Sequence, residues 1–273
     1  MTAVTGGTPI WADAMFDDLE KAKAFYGDVL GWTFGESGGE EFGNYTQAQA
    51  GGHPAAGLSP KMPGMEDVPA AWTLYFAAPD ASATAGKITA AGGQVMMGPM
   101  AVGPFGTMAI ASDPAGVAFG LWQGGSHRGW EPPTGPPAPG MFCWAEVNTR
   151  DAAKSDAFFP AVFGFEAKKM RDKANPDMDY AVWSLPGQEM PAMGRMAMPA
   201  NDSPAEVPSH INVCFSVANT DEAVEKAKSL DGKVIWAPSD SPFGRIATLQ
   251  DPQGAVFKVI DVTSPVGDMP EFD

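Results

Sequence analysis

The chain has 273 residues, enough for two domains of ordinary size that each bury a core. With 44% hydrophobic residues but no long uninterrupted apolar run, it reads as globular, not disordered or membrane-spanning. A formal charge of −16 leaves no basic stripe to neutralise phosphate, so neither nucleic acid nor an anionic membrane is an expected partner. The acidic balance suits a solubilising surface or a cationic small molecule.

The N-terminus shows no basic stretch followed by an apolar one, so no secretory signal is expected and a cytoplasmic location is. Cys143 and Cys214, the only two cysteines, lie in apolar strand-like segments and are expected to be buried free thiols. In chain order, Pro9 to Met15 alternates as a strand, with Trp11, Asp13 and Met15 on one face. Asp17 or Asp18 caps a helix whose Leu19, Ala22, Tyr26 and Val29 fall at helical spacing, and Gly31 ends it. Strands are expected at Trp32–Gly35 and Tyr45–Ala50, then at Trp72–Ala77, followed by an Ala-rich helix near 80–91 stopped by Gly92-Gly93. Gln94–Met97, Gly106–Ala111 and Val117–Trp122 complete the first half, the last two joined by the turn Asp113-Pro114-Ala115-Gly116.

Segment 124–140 holds five prolines and five glycines and reads as a stiff surface linker. The second half repeats the order: strand 141–147, helix 151–163, further strands, strand 211–217, helix 220–230 capped by Asn219 or Thr220, and strands to Ile260. Pro160 is expected to kink or break its helix. The polar segment 262–273 reads as a loose tail. Domains are therefore expected at 1–123 and 141–261.

The halves also share motifs. Pro104-Phe105-Gly106 returns as Pro242-Phe243-Gly244, and Asp113-Pro114-x-Gly116 as Asp251-Pro252-x-Gly254, both 138 positions later. Phe25-Tyr26 with Leu30-Gly31-Trp32 answers to Phe158-Phe159 with Phe163-Gly164-Phe165. Ordered matches at a near-constant offset mean a duplicated domain. These motifs resemble the vicinal oxygen chelate superfamily of glyoxalase I, bleomycin-resistance proteins and extradiol dioxygenases, most closely its two-domain actinobacterial members labelled hydroxylase or glyoxalase-like. The resemblance implies an α+β fold of four βαβββ modules, paired into two tandem curved-sheet domains with one concave cavity each. It further implies a divalent metal in each cavity, held by His, Gln or Glu on the first and last strands of module pairs.

The residues at those positions do not suit a metal. The first-strand position falls on Trp11 and Trp144, whose indole N–H only donates. The last-strand position falls on Gly120 and Lys258, and the fifth-strand position near Trp72-Thr73 and Ile211-Asn212. The histidines add little: His127 lies in the linker, His53 in a Gly-Gly turn, and His210 stands at a strand start. The expectation is no cofactor, with a divalent metal as the alternative. Strand parity puts Asp13 beside Trp11 and Glu146 beside Trp144, giving each cavity an aromatic wall next to a carboxylate. Trp72, Trp122, Asn212 and Lys258 complete the expected ligand-binding set. Met96, Met97, Met100 and Met108, with Met190, Met193, Met196 and Met198, are soft core filling or further ligand contacts.

Two functions fit. One is metal-independent binding of a small aromatic or cationic organic molecule in one or both cavities, by a monomer or weak homodimer. The other is a glyoxalase- or dioxygenase-type enzyme (lyase, isomerase or oxidoreductase) with an atypical metal site, or with Glu146 and Lys258 as its acid and base.

Overall fold

The computed structural model describes residues 4–130, 135–171, 177–198 and 204–273. Within these residues, seventeen strands form two curved sheets with four α-helices between them. The first half contains β1 (Pro9–Phe16), α1 (Leu19–Leu30), β2 (Thr33–Ser37), β3 (Thr46–Ala50), β4 (His53–Pro60), β5 (Trp72–Ala77), α2 (Ala81–Ala90), β6 (Gln94–Val102), β7 (Gly106–Ser112) and β8 (Ala118–Gly124). The second half contains β9 (Phe142–Thr149), α3 (Ala152–Phe163), β10 (Glu166–Arg171), β11 (Tyr180–Ser184), β12 (Met193–Ala197), β13 (His210–Ser216), α4 (Thr220–Ser229), β14 (Lys233–Ser241), β15 (Gly244–Gln250), β16 (Val256–Asp261) and β17 (Glu271–Phe272).

The first sheet runs β2-β3-β4-β1-β5-β8-β7-β6, and the second reproduces it as β10-β11-β12-β9-β13-β16-β15-β14. Two βαβββ modules thus meet in each sheet through an antiparallel pair of first strands, β1 with β5 and β9 with β13. The helix termini follow their sequence signals. Asp18 rather than Asp17 caps α1, accepting from the Lys21 N–H at 3.1 Å, and Gly31 ends it at φ 70°. Asn219 rather than Thr220 caps α4.

The helix-bearing faces of both sheets are pressed into one core. α1 packs on α4 and α2 on α3. Trp72 stands edge-on to Trp32 and to Phe215 of the second half, and Phe119 packs on Phe158. The repeated Asp-Pro-x-Gly turns sit on this seam. One oxygen of Asp113 holds its own turn through the Ala115 and Val117 N–H groups, while the other accepts from Ser155 Oγ at 2.6 Å. Asp251 does the same, gripping Gln253 and Ala255 while accepting from Tyr26 Oη at 2.9 Å. The concave faces point away from this core.

Three local expectations need correction. α3 is not broken at Pro160: only one N–H is lost near the helix end, and buried Phe158, Phe159 and Val162 hold the last turn in place. Residues 53–60 form a strand, so His53 opens β4, exposed, just after the Gly51-Gly52 turn. The tail is not loose. It ends in β17 paired to β10, fixed by an Arg171–Asp273 ion pair.

Candidate ligand-binding site

In both halves the outward, concave face carries a tryptophan, an acid and a tyrosine around a glycine, in the same places. On β1 the odd residues Trp11 and Asp13 face outward, because Ala12, Ala14 and Phe16 are spent on the core. Gly57 of β4 lies beside Asp13, and the room left by its missing side chain is taken by Tyr45: a Cβ there would stand 1.6 Å from Tyr45 Oη. Trp11 Nε1 donates to Tyr45 Oη at 2.6 Å. On β9 the arrangement recurs with Trp144, Glu146, Gly194 and Tyr180. Gly194 pairs with Glu146, a Cβ on it would stand 2.0 Å from Tyr180 Oη, and Trp144 Nε1 donates to that oxygen at 3.1 Å.

The remaining positions set the two faces apart. In the first, Tyr75 of β5 pairs with Gly120 and lies flat across it, and both Tyr75 and Tyr45 hydroxyls donate to Asp13. Trp122 shares this face, and His127 covers it, its ring edge-on to Trp11 at 4.5 Å. Trp11 is left 4% exposed and Tyr75 6%. The first face is therefore filled by its own side chains, and the expectation of an open cavity there is wrong. Burial pushes the Asp13 carboxyl up to about 7, against the opposing pull of the Tyr75 and Tyr45 hydrogen bonds. His127, which the sequence places in the linker, is half-buried, and burial lowers its pKa.

In the second face Tyr75 is replaced by Cys214, whose β-strand partner is Lys258 in place of Gly120. The smaller thiol leaves Trp144 only half-buried. Lys258 Nζ donates to Glu146 Oε1 at 2.6 Å. Glu146 is 6% exposed and also accepts from Tyr180. Burial alone would lower the Lys258 ammonium, but the Glu146 charge outweighs it and holds the pKa above the ordinary lysine value. Lys258 is thus a fixed cation, which removes it as the base expected of it. Asn212 lies beside Glu146, with its buried Oδ1 unpartnered among the described residues. At the rim, a ring nitrogen of His210 meets Pro208 O at 2.8 Å; a carbonyl only accepts, so this is Nδ1–H, and Nε2 keeps its lone pair. Burial, then the Lys258 charge, hold that imidazole below its ordinary pKa.

Trp72 is a correction. It shares the core face with Leu74 and Phe76, donates to Tyr26 Oη at 3.1 Å, and cannot reach either concave face. Thr73 and Tyr75 take the outward positions instead. The methionines do not form one cluster either, since Met193 is in the core and Met190 is 77% exposed. Sequence reasoning missed Tyr45, Tyr75 and Tyr180, although a glycine in mid-strand (Gly57, Gly120, Gly194) is the signal that a bulky neighbour lies across it.

The family model described as Glyoxalase/Bleomycin resistance protein/Dioxygenase superfamily matches residues 11–121 and again 142–259. The chain belongs to this superfamily. It is 36% identical over 259 residues to CFP32 of Mycobacterium tuberculosis, a protein named as a glyoxylase, with 93% of this chain and 94% of that one covered. It is 34% identical over 274 residues to the anthracycline biosynthesis protein DnrV of Streptomyces peucetius, with 96% of both covered. Among solved structures, the fold resembles the Mn(II)-bound glyoxalase of Novosphingobium aromaticivorans (TM-score 0.62, 16% identity, 96% of this chain and 87% of that one). It also resembles the 2,3-dioxygenase LapB of Pseudomonas sp. KL28 (TM-score 0.64, 15% identity, 98% and 95%).

These neighbours raise the question of a divalent metal, and the donor sets here do not fit one. The first face offers one carboxylate, two phenols, two glycines and the imidazole of His127, which packs on Trp11. The second offers one carboxylate already held by an ammonium, a phenol, an amide, the Cys214 thiol and a rim imidazole. Among the described residues no three His, Cys, Asp or Glu side chains come together as a metal site. A cation at Glu146 would have to displace Lys258.

Proposed function

We propose that the second domain binds a small aromatic molecule bearing an oxygen substituent on its concave face, without a transition metal. The observation that carries this is the Lys258 ammonium fixed on Glu146 at 2.6 Å, beside a partly exposed Trp144. Glu146 takes one ammonium proton and leaves the others free to meet a ligand oxygen, while the indole gives a flat ring something to stack on. A cationic ligand is poorly served, because Lys258 has already claimed the Glu146 charge. The name of DnrV, an anthracycline biosynthesis protein, makes flat fused-ring compounds sensible probes. Since the helix faces cover each other within one chain, a monomer suffices.

The test is titration with the planar dye alizarin, followed by its visible absorption, on protein with metal content measured by elemental mass spectrometry. Binding with less than about a tenth of an equivalent of metal, weakened about tenfold by Trp144→Ala, supports the reading. Stoichiometric metal lost with chelator, or a Trp144→Ala variant that binds as the parent does, overturns it.

His210 favours a second reading, in which a bound molecule loses a proton to its free Nε2. Deuterium uptake from solvent into an acidic C–H of the ligand, abolished by His210→Ala, would mark that chemistry; no uptake removes it.

A further inference from the structure

The pairing register of the second sheet draws a row of side chains across its concave face. Trp236 of β14 pairs with Thr248 of β15, Thr248 with Lys258 of β16, Lys258 with Cys214 of β13, and Cys214 with Trp144 of β9. Residues paired in this way project to the same side of a sheet, and the register shift between Val234 and Trp236 turns the indole away from the core side that Val234 takes, so the row reads tryptophan, hydroxyl, ammonium, thiol, tryptophan. The five strands span roughly 19 Å along the sheet at the usual strand spacing, and the curvature brings the two indoles nearer than that.

Trp236 has no evident structural duty. It is 67% exposed on an edge strand, the most exposed of the large aromatic side chains among the described residues. Among those residues its ring has no aromatic neighbour and its Nε1 no hydrogen-bond partner. Six of the other seven indoles donate a hydrogen bond, and the seventh, Trp183, is fully buried. The filled first face supplies a control. Its corresponding row is Met97, Ile110, Gly120, Tyr75 and Trp11, with no polar side chain before the Tyr75 hydroxyl and no aromatic at the outer edge. The edge tryptophan accompanies the lysine and the opened floor, and is absent where those are absent.

We infer that the ligand of the second face is an extended fused-ring aromatic, and that Trp236 stacks on the end of it far from Trp144. This rests on the reading proposed above, and adds the length of the ligand and the residue that measures it. The central oxygen substituent would lie over Lys258, with Thr248 between that oxygen and the outer ring.

Two probes of different length, alizarin with three fused rings and catechol with one, separate the possibilities in Trp236→Ala, Trp236→Phe and Trp144→Ala variants. Trp236→Ala is expected to weaken alizarin about tenfold and to leave catechol within about twofold, with Trp236→Phe restoring most of the loss. Trp144→Ala is expected to weaken both. The exposed position of Trp236 predicts an unchanged melting temperature. If Trp236→Ala leaves alizarin unaffected while Trp144→Ala weakens it, the extended ligand is refuted and the proposed site stands. An equal loss for both probes in Trp236→Ala refutes the length argument alone. If the parent protein binds neither probe, both readings fall.

Discussion

Replacing Asp13 by asparagine removes the titrating carboxyl from the filled face while keeping its shape. Burial holds the folded-state pKa at about 7, against 3.8 for a free aspartate. Each unit is worth about 1.4 kcal/mol, so the full displacement corresponds to about 4 kcal/mol, and the partial exposure of the side chain reduces this to about 2. The sign is fixed by proton uptake. Between pH 4 and 7 the folded chain keeps a proton on Asp13 that the unfolded chain has released, so raising the pH favours unfolding. The contribution is fully present below pH 4, falls through this window and is constant above about 7. The asparagine of the variant has no proton to lose. Urea unfolding of the parent and of Asp13→Asn, measured from pH 4 to 8, should show a stability difference moving by about 2 kcal/mol toward the variant as the pH rises. Subtraction cancels the other carboxylates of this acidic chain. Parallel curves would refute both the burial argument and the tyrosine-lined geometry behind it.

Further predictions concern the second face and the seam. Lys258→Met should cost about 3 kcal/mol by stranding the buried Glu146 charge, and clearly less in a Glu146→Gln background; additive unfolding energies would dissolve the pair. Gly194→Ala forces a methyl group against Tyr180 Oη and should disturb the Trp144 environment, seen as a shifted near-UV circular dichroism spectrum; an unaltered spectrum would contradict the close approach. Tyr26→Phe deletes the hydroxyl that joins Trp72 Nε1 to Asp251 and should lower stability by about 1–3 kcal/mol in thermal unfolding, with no effect on alizarin affinity.

Much of the fold could be read from the chain because its signals are local and doubled. Asp18, Gly31 and Asn219 act at the helix ends where their chemistry places them, and each module repeats the plan of another. The Trp-x-acid pairs were legible because alternation on β1 and β9 separates alanine and valine from polar residues. β5 was not legible in this way, since Trp72, Leu74 and Phe76 alternate with Thr73 and Tyr75, and bulky residues occupy both faces. The phenols of Tyr75 and Tyr180 reach their carboxylates from other strands, and that of Tyr45 from the residue before β3, at distances in sequence that no window covers. The closure of the first face by His127 is likewise tertiary, because a Gly- and Pro-rich segment says only that it bends.

The two Asp-Pro-x-Gly turns divide their carboxylates between home and neighbour, so neither half of the molecule finishes its own helix layer. Cut apart, each would carry a bared apolar helix layer and a buried-type acid with nothing to receive. The duplication has therefore become a mutual dependence. One face can fill in and fall silent while its domain still serves as the other's missing partner.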